Sequence, residues 1–136
     1  KVNLQPFRYL KEYKVEENEN YEIGQQFDVE LFEIGQTVNV SGLTIGKGNL
    51  GNIKKHGHTR GAMSHGSKSH RLQGSIGAGT TPGRVLPGKK MPGRTGYEQR
   101  TIKGLEIIDI DKTQNLIVVK GSIPGKSGNL VSIKLS

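Results

Sequence analysis

A small, mainly β fold interrupted by one long basic segment is predicted for this chain of 136 residues. Three observations predict it. Short runs of alternating apolar and polar residues occupy both ends of the chain. Clusters of Gly, Asn, Asp and Pro separate those runs. Between the two ends lies a stretch rich in Gly, Lys and Arg that is almost free of acid. Composition agrees: only 32% of residues are hydrophobic and 20 are Gly, so the packed core is small for the chain length. Cys is absent, which excludes a disulfide scaffold, a thiolate zinc site and a cysteine nucleophile. No apolar run approaches a membrane span. The first residues, Lys1 to Pro6, carry neither an initiator Met nor a signal-type apolar stretch, and read as the interior of a longer product.

Phe7, Tyr9, Tyr13 and Val15 alternate with Arg8, Leu10, Glu12 and Lys14, the period-two pattern of a strand with one face on a core. Tyr21 to Val29 is echoed eleven positions later by Phe32 to Val40, with Glu-Ile-Gly-Gln inside each copy. Two copies predict two similar Gly-turned strand connections and are too few for a solenoid. Residues 47–104 show neither helical nor strand periodicity over most of their length, far beyond an ordinary connecting loop. Strands resume at Leu105 to Ile110, Leu116 to Val119 and Val131 to Leu135. The turns Asp111 to Asn115 and Ile123 to Asn129 join them. The fold class is therefore a small antiparallel β-barrel built from residues 1–46 and 105–136, with 47–104 as a long Gly-rich basic extension.

Charge divides along the same cuts. Residues 1–46 hold four Lys and Arg against eight Asp and Glu, and 105–136 hold four against three. Residues 47–104 hold twelve against the single Glu98, a net +11 within a chain total of +8. A Gly-rich segment of this kind loses much backbone entropy on ordering and needs a partner along its length. A polyanion fits, because Gly lets the backbone approach phosphates, Lys and Arg supply charge, and Arg binds them bidentately.

Other motifs point elsewhere and fail on context. Gly46-Lys47-Gly48-Asn49-Leu50-Gly51 has the letters of a dinucleotide fingerprint, but the sequence predicts no following helix and offers no acid about 20 positions on. Gly42 to Lys47 is one residue short of a phosphate loop and is followed by Gly48 where Ser or Thr would bind magnesium. His56, His58, His65 and His70 invite a metal-dependent hydrolase, yet they stand in a basic stretch without carboxylates or enough apolar residues to wall a pocket. Ser64, Ser67 and Ser69 lack an acidic orienter in that stretch. Tyr97 is its only aromatic, so no multi-residue stacking platform is present.

The order Phe32, Asn39, Gly42, Thr44, Gly46-Lys47-Gly48 and Gly51 is similar to the pattern of the universal large-subunit ribosomal protein three family. His65 to Arg71, Gly74 to Gly77, Thr81 to Val85 and Gly88 to Arg94 resemble the central extension of its bacterial and plastid form. Lys55 stands where that pattern has Arg, Asn49 where an aromatic is common, and Gly57-His58 where Asn-Phe is usual. The resemblance covers the C-terminal two thirds of a typical member.

It implies a translation-factor-type β-barrel on the subunit surface and an extension threading between rRNA helices. The extension tip would be Gln73, Gly74, Ser75, Ile76, Gly77, Ala78, Gly79, Thr80 and Thr81, near the peptidyl transferase centre. Implied partners are large-subunit rRNA and neighbouring ribosomal proteins, with no membrane, cofactor, metal, small-molecule substrate or enzymatic activity. The implied location is the ribosome of a plastid stroma or bacterial cytoplasm. The rRNA contacts expected from charge and position are Lys47, Lys54, Lys55, His58, Arg60, Lys68, His70, Arg71, Arg84, Lys89, Lys90, Arg94 and Arg100. A generic polyanion-binding module is the other reading of the same residues.

Overall fold

A computed structural model of the chain describes residues 5–14 and 20–136. Chain contacts group them in two units, Lys1–Gln36 with Glu106–Lys120, and Thr37–Leu105 with Gly121–Ser136. Among the described residues the structure is mainly β, with six strands β1 (Thr37–Leu43), β2 (Gly48–Leu50), β3 (Gly93–Thr95), β4 (Gln99–Asp111), β5 (Leu116–Val119) and β6 (Val131–Leu135), and one short α-helix, α1 (Asn52–His56).

In the first unit the end of β4 pairs antiparallel with β5, with Asp111 opposite Leu116, Ile110 opposite Ile117 and Ile107 opposite Val119. The register shifts between Ile107 and Asp109. Such a bulge resets the two-residue alternation. Ile107 is therefore buried and Ile110 half-buried, while Asp109 between them stays exposed. The connecting turn is built on Asp111, whose Oδ1 accepts from the Thr113 hydroxyl at 2.7 Å, the Thr113 amide at 2.9 Å and the Gln114 amide at 3.3 Å. The Thr113 hydroxyl foremost, then the two amides, hold the Asp111 carboxyl below its ordinary range.

The repeated Glu-Ile-Gly-Gln segments fold alike. Gln25 and Gln36 each donate their amide to the carbonyl of the Glu three residues earlier, at 3.2 Å, and accept that Glu's amide on their side-chain oxygen. Gly24 and Gly35 sit at φ 93° and 86°, the left-handed position a type II turn requires. The two turns lead into different elements. The first precedes a single 3-10 turn at Val29–Leu31, and the second runs directly into β1. Gly35 and Gln36 also exchange main-chain hydrogen bonds with Ile107, at 2.8 and 3.0 Å.

The strands expected at 7–15 and 21–29 do not form among the described residues, and Val15 lies outside them. Alternation stabilises a strand only where another strand takes up its main-chain groups. Phe7, Tyr9 and Tyr13 are instead exposed, with Arg8 over the Tyr9 ring at 5.3 Å and Lys11 over Tyr13 at 5.4 Å.

In the second unit β1 runs antiparallel to β6, with Val38 opposite Leu135 and Val40 opposite Ile133. Val38 and Val40 are fully buried, and the alternate residues Asn39 and Ser41 face the other way. On its other side β1 meets the start of β4, where the Ser41 and Thr101 hydroxyls lie 2.7 Å apart and Asn39 Oδ1 accepts the Gly104 amide at 3.1 Å. Gly42 is buried under the Pro124 carbonyl, where a Cβ would stand 2.9 Å from that oxygen. β2 and β3 form a separate antiparallel pair. The expected barrel is not closed: among the described residues every ladder stays open, because the segments needed for additional strands do not pair.

Candidate nucleic-acid interface

The two units separate charge more sharply than the sequence cuts do. The second holds fourteen Lys and Arg against Glu98 alone, a net +13, and the first is left with −5. Every predicted RNA-contacting residue lies in the second unit. Ten of the thirteen side chains are exposed, and Lys55, His58 and His70 are half-buried.

Three local groups result. The first surrounds β2, α1 and β3. Asn49 lies opposite Arg94 across the pair, and the Lys47 amide donates to the Thr95 carbonyl at 2.9 Å. α1 is held between two glycines, with Gly57 in the left-handed conformation capping its end, and Lys54, Lys55 and His56 fill its last turn. Asn52, buried within α1, donates its amide to the Lys90 carbonyl at 3.1 Å, and His56 Nε2 donates to the Met91 carbonyl at 3.0 Å. These bonds bring residues 89–91 alongside α1. Lys55 Nζ reaches Gly93, where a Cβ would stand 3.1 Å from it. Lys47, Lys54, Lys55, Lys89, Lys90 and Arg94 therefore share one region.

The second group is a pinched loop. The Gly61 amide donates to the His70 carbonyl at 2.9 Å and His70 Nδ1 donates to the Ala62 carbonyl at 3.0 Å, joining Arg60 and Arg71 at the neck. Lys68 is carried on the loop. The third group is the predicted tip, residues 73–81, which holds turns and no regular element. Ser75 donates to the Gly77 carbonyl at 2.9 Å and the Gly83 amide to the Gly79 carbonyl at 3.0 Å. Arg84 comes next, exposed.

Arg100 differs from the rest. Its Nε and Nη2 both donate to Glu98 Oε1, at 3.0 and 2.8 Å, so the unit's one acidic side chain is already paired. The histidines do not converge either: His56 and His70 each use one ring nitrogen on a main-chain carbonyl, only the His56 and His58 rings adjoin at 5.8 Å, and no three His, Cys, Asp or Glu among the described residues gather around a metal-sized space.

Sequence reasoning missed β2, β3 and α1. A helix does follow Gly51, though with five residues and no acid positioned for a ribose. Asn52 was missed as well, and Gly residues on either side of Asn52–His56 were the only signal for it.

Residues 12–116 match the family pattern described as ribosomal protein L3. The chain is 59% identical over 133 residues to "Large ribosomal subunit protein uL3c" of Gracilaria tenuistipitata var. liui, covering 98% of this chain and 65% of that protein. It is 54% identical over 132 residues to the protein of the same name from Guillardia theta, with 97% and 65% covered. To "Large ribosomal subunit protein uL3" of Prochlorococcus marinus strain AS9601 it is 58% identical over 127 residues, with 93% and 58% covered. The chain thus spans less than two thirds of the length of these relatives. With a family match across most of its residues and this order of glycines and basic groups on a mainly β frame, the chain belongs to the ribosomal protein L3 family.

Proposed function

We propose that this chain is a structural constituent of the large ribosomal subunit, in a bacterial or plastid ribosome, that binds large-subunit rRNA and carries out no chemistry. The observation that carries the reading is the +13 of the second unit, whose only acidic side chain is already paired. Cations distributed on turns with little regular structure suit phosphates held at irregular spacing where RNA helices pack together. Residues 47–104 act as the rRNA-threading extension, 73–81 as its tip toward the peptidyl transferase centre, and 1–46 with 105–136 as the anchoring part. The acidic first unit, with exposed aromatics, suits contact with neighbouring ribosomal proteins, and assembly of the subunit benefits from both.

Lysine-reactive labelling tests the division. On binding a large-subunit rRNA transcript, Lys47, Lys54, Lys55, Lys68, Lys89 and Lys90 are expected to become protected while Lys11, Lys112 and Lys120 stay reactive. Equal protection in both units contradicts the reading.

A further inference from the structure

Tyr97 is the one Phe, Tyr or Trp side chain of the second unit, and three features set it apart. It is 75% exposed, and its backbone adopts φ 54°, a left-handed conformation uncommon for an aromatic residue. Its neighbours enforce that conformation. Gly96, at φ 73°, packs against the Ile45 carbonyl so closely that a Cβ would collide with it. On the other side Glu98 is locked to Thr44: the Thr44 amide donates to the Glu98 carbonyl at 3.0 Å, and the Thr44 hydroxyl accepts the Glu98 amide at 3.2 Å.

The ring also borders a cleft. Tyr97, Leu43, Ile45, Gly46 and Lys126 line an open space of about 300 Å³. Gly46 lies beside Tyr97, where a Cβ would stand in ordinary van der Waals contact, 3.4 Å from Tyr97 Cβ and 3.9 Å from its Cδ2. The cleft is mostly apolar with one cation at its rim, and Lys47 follows Gly46 directly in a unit of net +13. An apolar space with an exposed aromatic ring on its border and a lysine in its lining suits a planar base attached to a phosphate better than an anion alone.

We propose that Tyr97 is a stacking platform for one unstacked rRNA base, with Lys126 on the phosphate of that nucleotide. The proposal rests on the rRNA-binding reading and adds to it a single base-contacting point among phosphate contacts. The strained backbone keeps the ring displayed before RNA arrives, so little side-chain ordering opposes stacking.

The left-handed backbone supplies a clean variant. Asn tolerates that conformation better than Tyr, so Tyr97→Asn removes the ring without endangering the fold. The full 136-residue chain is titrated into a large-subunit rRNA transcript and, separately, into unrelated structured RNA of equal mass. Tyr97→Asn is expected to weaken rRNA binding by about five- to 150-fold with the salt slope unchanged, and Tyr97→Phe to bind as the parent does. Lys126→Ala is expected instead to flatten the slope by about one unit. Ultraviolet irradiation of the parent complex is expected to leave a nucleotide adduct on Tyr97. Equal rRNA affinity of the parent and Tyr97→Asn, or adducts only at other residues, overturns the stacking site while the parent's preference for rRNA still stands. If the parent itself shows no preference between the two RNAs, the rRNA-binding reading has failed, and the stacking site with it.

Discussion

Glu98→Gln is expected to strengthen RNA binding through a residue that does not itself touch phosphate. In the structure Arg100 places two donors on Glu98 Oε1, at 3.0 and 2.8 Å, with both side chains more than half exposed. An exposed pair of this kind contributes about 0–1 kcal/mol to the fold. The main chain of Glu98 is fixed by Thr44 and not by its carboxylate, so the isosteric amide leaves the local structure in place. Gln cannot hold the guanidinium by charge, which frees Arg100 for a phosphate. One added phosphate contact steepens the dependence of log affinity on log salt by about 0.7–0.9. Over a fourfold rise in salt, that slope makes the variant lose about threefold more affinity than the parent, starting from tighter binding at low salt. Fluorescence anisotropy with a large-subunit rRNA fragment at several salt concentrations measures it. Arg100→Ala added to Glu98→Gln should restore the parental slope. A Glu98→Gln slope equal to or shallower than the parent's refutes the view that the pair withholds a cation.

The geometry sets three further outcomes. Ile107 is one of three fully buried side chains among the described residues, so Ile107→Ala is expected to cost about 2–5 kcal/mol, read as a lowered urea midpoint. The Asp111 carboxyl is held below its ordinary value, so the stability it contributes is present above the unfolded-state pKa and fades as pH falls through the lower folded-state value. Thr113→Val removes the largest cause, and a carboxyl NMR titration should show the Asp111 transition moving up in pH. A Cβ at Gly61 would collide with the Ser69 carbonyl, so Gly61→Ala is expected to open the neck between Arg60 and Arg71, seen as faster hydrogen exchange of residue 61's amide.

Much of the fold was legible where a strand finds its partner a few residues away. Leu116 to Val119 comes directly after the Asp111 to Asn115 turn, and the alternation there holds except for the bulge at Ile108, which leaves no mark in composition. Val38 and Val40 announced β1 by the same alternation, although its partner β6 lies at the other end of the chain. Phe7, Tyr9 and Tyr13 carry an equally good pattern and form no strand, because pairing depends on a neighbour that the pattern does not specify. The echo of Tyr21 to Val29 in Phe32 to Val40 was real at the level of its turns and misleading for its flanks.

For the candidate site, charge alone singled out the cations as candidates. Their grouping was not legible: Asn52 reaches Lys90, and Gly61 reaches His70, through main-chain carbonyls that have no signature in side-chain type. Arg100 reads as a free cation in the sequence because Glu98, two residues away, is a pairing partner only once β4 extends back to Gln99. The display of Tyr97 likewise depends on the fit of Gly96 against Ile45.

Competition binding decides whether the second unit recognises its own rRNA. The full chain is held at about 0.15 M salt with labelled large-subunit rRNA and challenged with increasing unlabelled rRNA or bulk structured RNA. Specific binding predicts displacement by the cognate rRNA at far lower concentration than by bulk RNA, with a log-log salt slope of about −4 or steeper. Displacement by both RNAs at the same concentration would contradict the account and reduce the second unit to a generic polycation.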